Sequence, residues 1–148
     1  MLTIYDAEER SSLLRRLGVL TPERTPRWGR MSPSQMVCHL IAAFRASLNE
    51  LPVGPPAGPL SLFPLNWLVI HVLPWPQGKV ESPPEFLSVP ATTWAADVAT
   101  LRSLIDRAAA QGPEASWPPS RVFGRISGAT WGALHRKHVD HHLRQFGL

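Results

Sequence analysis

The sequence predicts an all-α fold, a four-helix bundle with a long crossover between the second and third long helices. Three observations predict it. Four stretches open on a helix-capping residue and then repeat apolar residues every three to four positions. No pair of alternating apolar and polar runs suggests a strand pair. A Pro- and Gly-rich stretch of roughly forty residues separates the second and third long helices, enough for a crossover.

Asp6-Ala-Glu-Glu9 reads as the first helix start, an acidic N-cap with Glu three residues on. This helix is expected to run to Leu17, with Gly18 as its stop. A connection punctuated by Pro22, Pro26 and Trp28-Gly29 follows. Ser32-Pro33-Ser34-Gln35 is a stronger start, because Ser32 can cap, Pro33 suits the first helical position and Gln35 completes a capping box. The second helix is expected to reach about Asn49, with Met36, Leu40, Ala43, Phe44, Ser47 and Leu51 as its stripe and His39 beside it. Ala43 and Ala46 leave room next to that ring.

The crossover begins at the turn-rich Leu51 to Pro59. Within it, Leu65 to Leu73 predicts a short extra helix, and Lys79 to Pro90 reads as irregular coil. Thr92 or Thr93 caps the next helix, which runs to Ala110 with Trp94, Val98, Leu101, Ile105 and Ala108 inward and Gly112 as stop. After a loop from Pro113 to Ile126, Ser127 caps the last helix. There, at about 100° per residue, Trp131, His135, His138, Val139, His142 and Phe146 share one side, and Arg136, Lys137, Asp140 and Arg144 the other. His138 and His142 thus lie one turn apart on the face a helix buries. Buried imidazoles need partners, and two on one face can reach one ion.

Composition bounds the rest. The 148 residues suit one domain covering the whole chain, residues 1–148. Six tryptophans argue for a bulky core. The net charge of +4 comes from scattered arginines without a basic tract, which argues against a nucleic-acid partner. Cys38 is the single cysteine, so no intrachain disulfide forms. No signal sequence is visible, and Leu60 to Trp75, cut by Pro64 and Pro74, falls short of the ~18 residues a bilayer span needs. A cytoplasmic protein with no membrane partner is expected. The chain has no Gly-rich phosphate loop, nucleophile elbow or paired-carboxylate motif.

His39 is the natural third ligand beside His138 and His142. Three histidines leave an open position, the pattern of substrate-accessible metals. Imidazoles suit Zn, Ni, Fe or Cu without choosing among them. Met36-Val-Cys-His39-Leu and His138-Val-Asp-His-His142-Leu-Arg-Gln145 resemble the DinB/YfiT-like metalloenzyme superfamily, where a second-helix histidine and a His-x-x-x-His pair on the last helix bind a divalent metal. Trp28-Gly29-x-Met31-Ser32, Pro74-Trp75-Pro76-x-Gly78, Phe123-Gly124-x-Ile126-Ser127 and the tail through Gly147 resemble a branch known only as a domain of unknown function. That branch often shows His-Pro before its Phe-Gly element, where this chain has Ser120-Arg121-Val122. The resemblance implies a DinB-like four-helix bundle, a divalent metal and often a homodimer. It also implies a metal that activates a low-molecular-weight thiol, as in S-transferases and a maleylpyruvate isomerase.

The expected activity is attack by a thiol or water on a small electrophile. His39, His138 and His142 are the expected metal ligands. His135 is the candidate base, with ligand and core residue as its alternatives. The alternative class is a non-catalytic, stress-associated metal-binding dimer. His141 is expected at a bundle edge or interface, His71 in a structural role, Cys38 as a small buried hydrophobe, and Asp140 in an ion pair with Arg136 or Arg144. Gln145 can hydrogen-bond near the site. Trp28, Trp67, Trp75 and Trp131 are expected in the core or around a pocket.

Overall fold

The computed structural model describes residues 1–148 and contains five α-helices and no strand. They are α1 (Ala7–Val19), α2 (Pro33–Ser47), α3 (Leu65–His71), α4 (Trp94–Gln111) and α5 (Gly128–Gln145). Single 3-10 turns lie at Pro59–Ser61 and Pro84–Leu87. The four longer helices share one core, in which Leu13 and Leu17 of α1, Met36, Leu40 and Phe44 of α2, Leu101 and Ile105 of α4, and Val139 and Leu143 of α5 are almost wholly buried. Most extensively packed are α2 against α4 and α1 against α5. No helix is long and apolar enough to cross a membrane.

Local chemistry sets most helix starts. Ser32 and Gln35 form the reciprocal capping box, Ser32 Oγ accepting from Gln35 N and Gln35 Oε1 from Ser32 N. Of the two candidate threonines, Thr93 caps α4 and Thr92 instead donates its hydroxyl and amide to Asp97. Ser127 caps α5 through Thr130 N. Asp6 departs from expectation. Its carboxylate turns back to accept from Thr3 N and Oγ1, so it precedes α1 without capping it by side chain. Gly18 does not stop α1 either. Glycine weakens a helix without forbidding it, and the turn continues to Val19. At the end of α2, Asn49 takes the left-handed conformation (φ 60), and the helix ends at Ser47.

The stripe expected on α2 is buried from Met36 through Ser47, and burial continues right round the helix from Met36 to Phe44. The 3-10 turn Pro84–Leu87, in a segment expected to be plain coil, covers the face that would otherwise be open. A smaller apolar cluster of Ile70, Phe123, Trp131, Ala133 and Leu134 joins α3 and the 120–126 loop to α5.

Lys137, expected on the solvent side of α5, does something else. Its ammonium donates to the carbonyls of Val69 (2.7 Å), Ile70 (3.0 Å) and Leu73 (2.6 Å), at the C-terminal end of α3. A cation there satisfies carbonyls that the helix leaves unpaired and opposes the helix dipole. Seven residues are too few for an autonomous helix, so this contact and Ile70 burial hold α3 in place. The neighbouring charges pair elsewhere. Asp140 meets Arg16 (2.7 Å) and Arg144 (3.7 Å), and Arg136 meets Glu9 instead (3.0 Å).

Candidate metal centre

Helix α2 and the last two turns of α5 bring three imidazoles together. The candidate ligand nitrogens of His39, His138 and His142 all lie within 4.8 Å of one another, close enough to hold one metal ion. His39 and His142 are buried, and His138 is partly exposed. His39 Nε2 stands 2.9 Å from His138 Nε2.

The outward hydrogen bonds fix which nitrogens face inward. Trp28 offers a carbonyl, which can only accept, so the atom of Gln145 that meets it at 3.0 Å is Nε2. The other end of that amide, Oε1, then faces His142 Nδ1 at 2.8 Å and must accept from it. His142 therefore carries its proton on Nδ1 and its lone pair on Nε2. His39 follows the same logic, because its Nδ1 lies 3.3 Å from the Phe86 carbonyl and has to donate. Two imidazoles of three are thus held in the tautomer whose Nε2 can bind a cation. Oriented histidines whose outer nitrogen donates to a carbonyl or amide oxygen are the usual surroundings of a metal-ligating imidazole.

Burial lowers the pKa of all three, and more so where other histidines crowd them. His142 is pushed down to about 3, chiefly by desolvation and then by His39. His138 is held well below its ordinary value by desolvation, then by His39 and His142. For His39 desolvation also dominates, against the Phe86 hydrogen bond, which favours the proton. The cluster is neutral at pH 7, the state a metal requires.

Gly29 shapes the Gln145 contact. It has φ +74, and a Cβ there would come within 2.9 Å of Gln145 Nε2. Arg27 N donates to the Gln145 carbonyl, so the segment before α2 is sewn to the end of α5.

The three histidines open on a cavity of about 850 Å³. That is within the size range of small-molecule sites. Trp28, Trp75, Phe86 and Trp131 form much of its wall, with Arg121 and His135 in the lining. Trp75 is anchored by donating Nε1–H to the Val69 carbonyl, and its ring lies 5.6 Å from those of His138 and His141.

His135 stands outside the trio. It is sandwiched between Phe44 (4.2 Å) and Trp131 (5.1 Å), burial pushes its pKa down to about 3, and its buried Nε2 has no hydrogen-bond partner. His141 is half-buried against Trp28 and lines the cavity. His71 and Trp67 do not line it; Trp67 is 48% exposed beside His71, correcting its expected place in the core. Cys38 is buried, with Sγ 4.0 Å from Asp97 Oδ2, and is not among the clustered ligands.

Sequence reasoning missed the Phe86 carbonyl, Gly29 and Arg121. Gly29 left a trace in the Trp-Gly pair before α2, and Arg121 only as part of the Ser120-Arg121-Val122 departure from the branch pattern. No family model matches this chain, and no curated protein or solved structure matches it significantly.

Proposed function

We propose that this chain is a metal-dependent enzyme of the DinB/YfiT-like kind, a four-helix bundle in which His39, His138 and His142 hold one divalent ion beside a substrate cavity. The observation that carries the reading is the pair of outer hydrogen bonds, from His39 to the Phe86 carbonyl and from His142 to Gln145, which point two Nε2 lone pairs towards the third histidine. A core that needed only packing has no use for three crowded imidazoles, whose polar atoms are costly to bury. A divalent ion supplies Lewis acidity, which makes a small thiol or a water nucleophilic at neutral pH.

The chain's residues supply the rest. Three protein ligands leave room for a small molecule, and the cavity gives it access. Trp75, Phe86 and Trp131 exclude water from an apolar electrophile and orient it. His135 is the candidate proton carrier because no protein group occupies its Nε2. Its low pKa makes it a weak base, better suited to holding a hydrogen bond than to abstracting a proton on its own.

Elemental analysis of the purified wild type and of single variants tests the site. His39→Ala, His138→Ala and His142→Ala should each lose most of the metal, and His141→Ala should keep it. Equal loading in all four would refute the assignment. In Co(II)-loaded protein, a small thiol or azide should shift the visible spectrum. A spectrum indifferent to both would make the ion structural and favour a non-catalytic metal-binding bundle.

A further inference from the structure

Arg121 lies in the wall of the histidine cavity with most of its hydrogen-bonding capacity unused. Its Nε donates to Glu85 Oε1 at 3.4 Å, and neither terminal nitrogen has a protein acceptor. Glu85 is itself fixed, accepting from Gly54 N at 3.2 Å. The turn that presents Arg121 is rigid. Ser120 and Gly124 exchange both backbone hydrogen bonds, and Ser120 Oγ accepts from Val122 N and Phe123 N. Gly124 (φ +69) packs so closely on the chain that a Cβ would fall 2.5 Å from the Ser61 carbonyl oxygen.

A guanidinium held by its Nε keeps the planar edge of its two terminal amino groups for a bidentate oxyanion. We infer that Arg121 is the anion-binding subsite of this cavity, and that the molecule taken up there is a small carboxylate with an apolar body. This rests on the reading that the cavity receives the reacting molecule. The apolar body follows from Val53, Leu60, Val69, Trp75, Phe86 and Trp131 around it. A monoanion is favoured over a phosphate dianion because Glu85 already offsets part of the Arg121 charge, while Arg30 and Glu81 in the same lining balance each other.

The test uses 3-phenylpropionate and its neutral amide, 3-phenylpropanamide, titrated calorimetrically into wild-type protein, both after metal removal and loaded with Zn(II). In metal-free wild type the carboxylate should bind about tenfold more tightly than the amide, the scale of one charged hydrogen-bonded contact. Arg121→Met should abolish that preference and leave amide affinity unchanged, which also reports an intact cavity. Arg121→Lys should retain part of it. In wild type alone, the preference should shrink as salt rises.

Lack of binding by both probes, no carboxylate preference in the metal-free wild type, or a preference that survives Arg121→Met would each overturn the inference. A preference seen only with Zn(II) and indifferent to Arg121 would place the carboxylate on the ion, overturning this subsite while supporting the metal centre. An Arg121-dependent preference in a protein that binds no metal would do the reverse.

Discussion

Replacing Gln145 by methionine keeps the length and bulk of the side chain and removes both hydrogen bonds of the bridge between Trp28 and His142. The Nδ1–H of buried His142 then has no acceptor, which costs about 1–3 kcal/mol of stability in the metal-free protein. Nothing then favours the tautomer with its lone pair on Nε2. Loss of such an outer partner typically weakens metal affinity roughly 10–100-fold. At a metal concentration a hundred times the wild-type Kd, binding stabilises the wild type by about 2.7 kcal/mol. A variant with about thirtyfold weaker affinity gains only ~0.9 kcal/mol at that concentration. The rise in Tm on adding Zn(II) should therefore shrink to about a third of the wild-type rise. Chelator competition gives the affinity and thermal unfolding the stabilisation. Gln145→Glu retains an acceptor for Nδ1–H and should stay within a few-fold of wild type. If Gln145→Met matched the wild type in both assays, or Gln145→Glu fell as far as Gln145→Met, the orienting role would be refuted.

Gly29→Ala should weaken metal binding from the opposite side, since its methyl displaces Gln145, and the strained backbone should lower stability by about 1–2 kcal/mol. Acid should destabilise the metal-free protein. Unfolded histidines take up protons below about pH 6.5, whereas folded His135 and His142 do so only near 3, so stability present above pH 6.5 is lost as pH falls through that window. At pH 5 each contributes about 2 kcal/mol of destabilisation relative to pH 7, and urea midpoints unchanged between those pH values would refute their burial as neutral groups. Lys137→Met should cost about 2 kcal/mol by releasing the Val69, Ile70 and Leu73 carbonyls. Hydrogen exchange should then show α3 opening before the other helices, and unchanged α3 protection would contradict its anchoring role.

How much of this was legible in the sequence depends on whether the signal is local. The capping box at Ser32 and Gln35 and the His138–His142 spacing are properties of neighbouring residues, and they lie where the sequence puts them. The partner of His39 Nδ1 was not legible, because it is a backbone carbonyl and every residue carries one. Only the tertiary fold selects Phe86. Lys137 misled for a related reason. Helical periodicity places it opposite the core, but the long crossover returns α3 to that side of α5 and supplies acceptors. Trp67 misled through composition, since a large apolar ring in a short helix reads as core although one side of α3 faces outward. Asp6 had the right residue type for a cap and spent its carboxylate on Thr3 instead.

The ring pile of Phe44, His135, Trp131 and Trp117 has an optical consequence. Trp117 and Trp131 stack 5.7 Å apart at 25°, and Trp131 lies against His135, which in turn lies against Phe44. Two indoles fixed so closely are expected to couple their electronic transitions, giving a circular dichroism signal that depends on their mutual angle. Trp131 also walls the cavity, whereas Trp117 does not. A molecule bound against Trp131 therefore touches one chromophore of the pair and not the other, and its binding is expected to change the coupling between them. Occupancy should then be readable in the protein's own dichroism, without a label and without a colour-bearing metal.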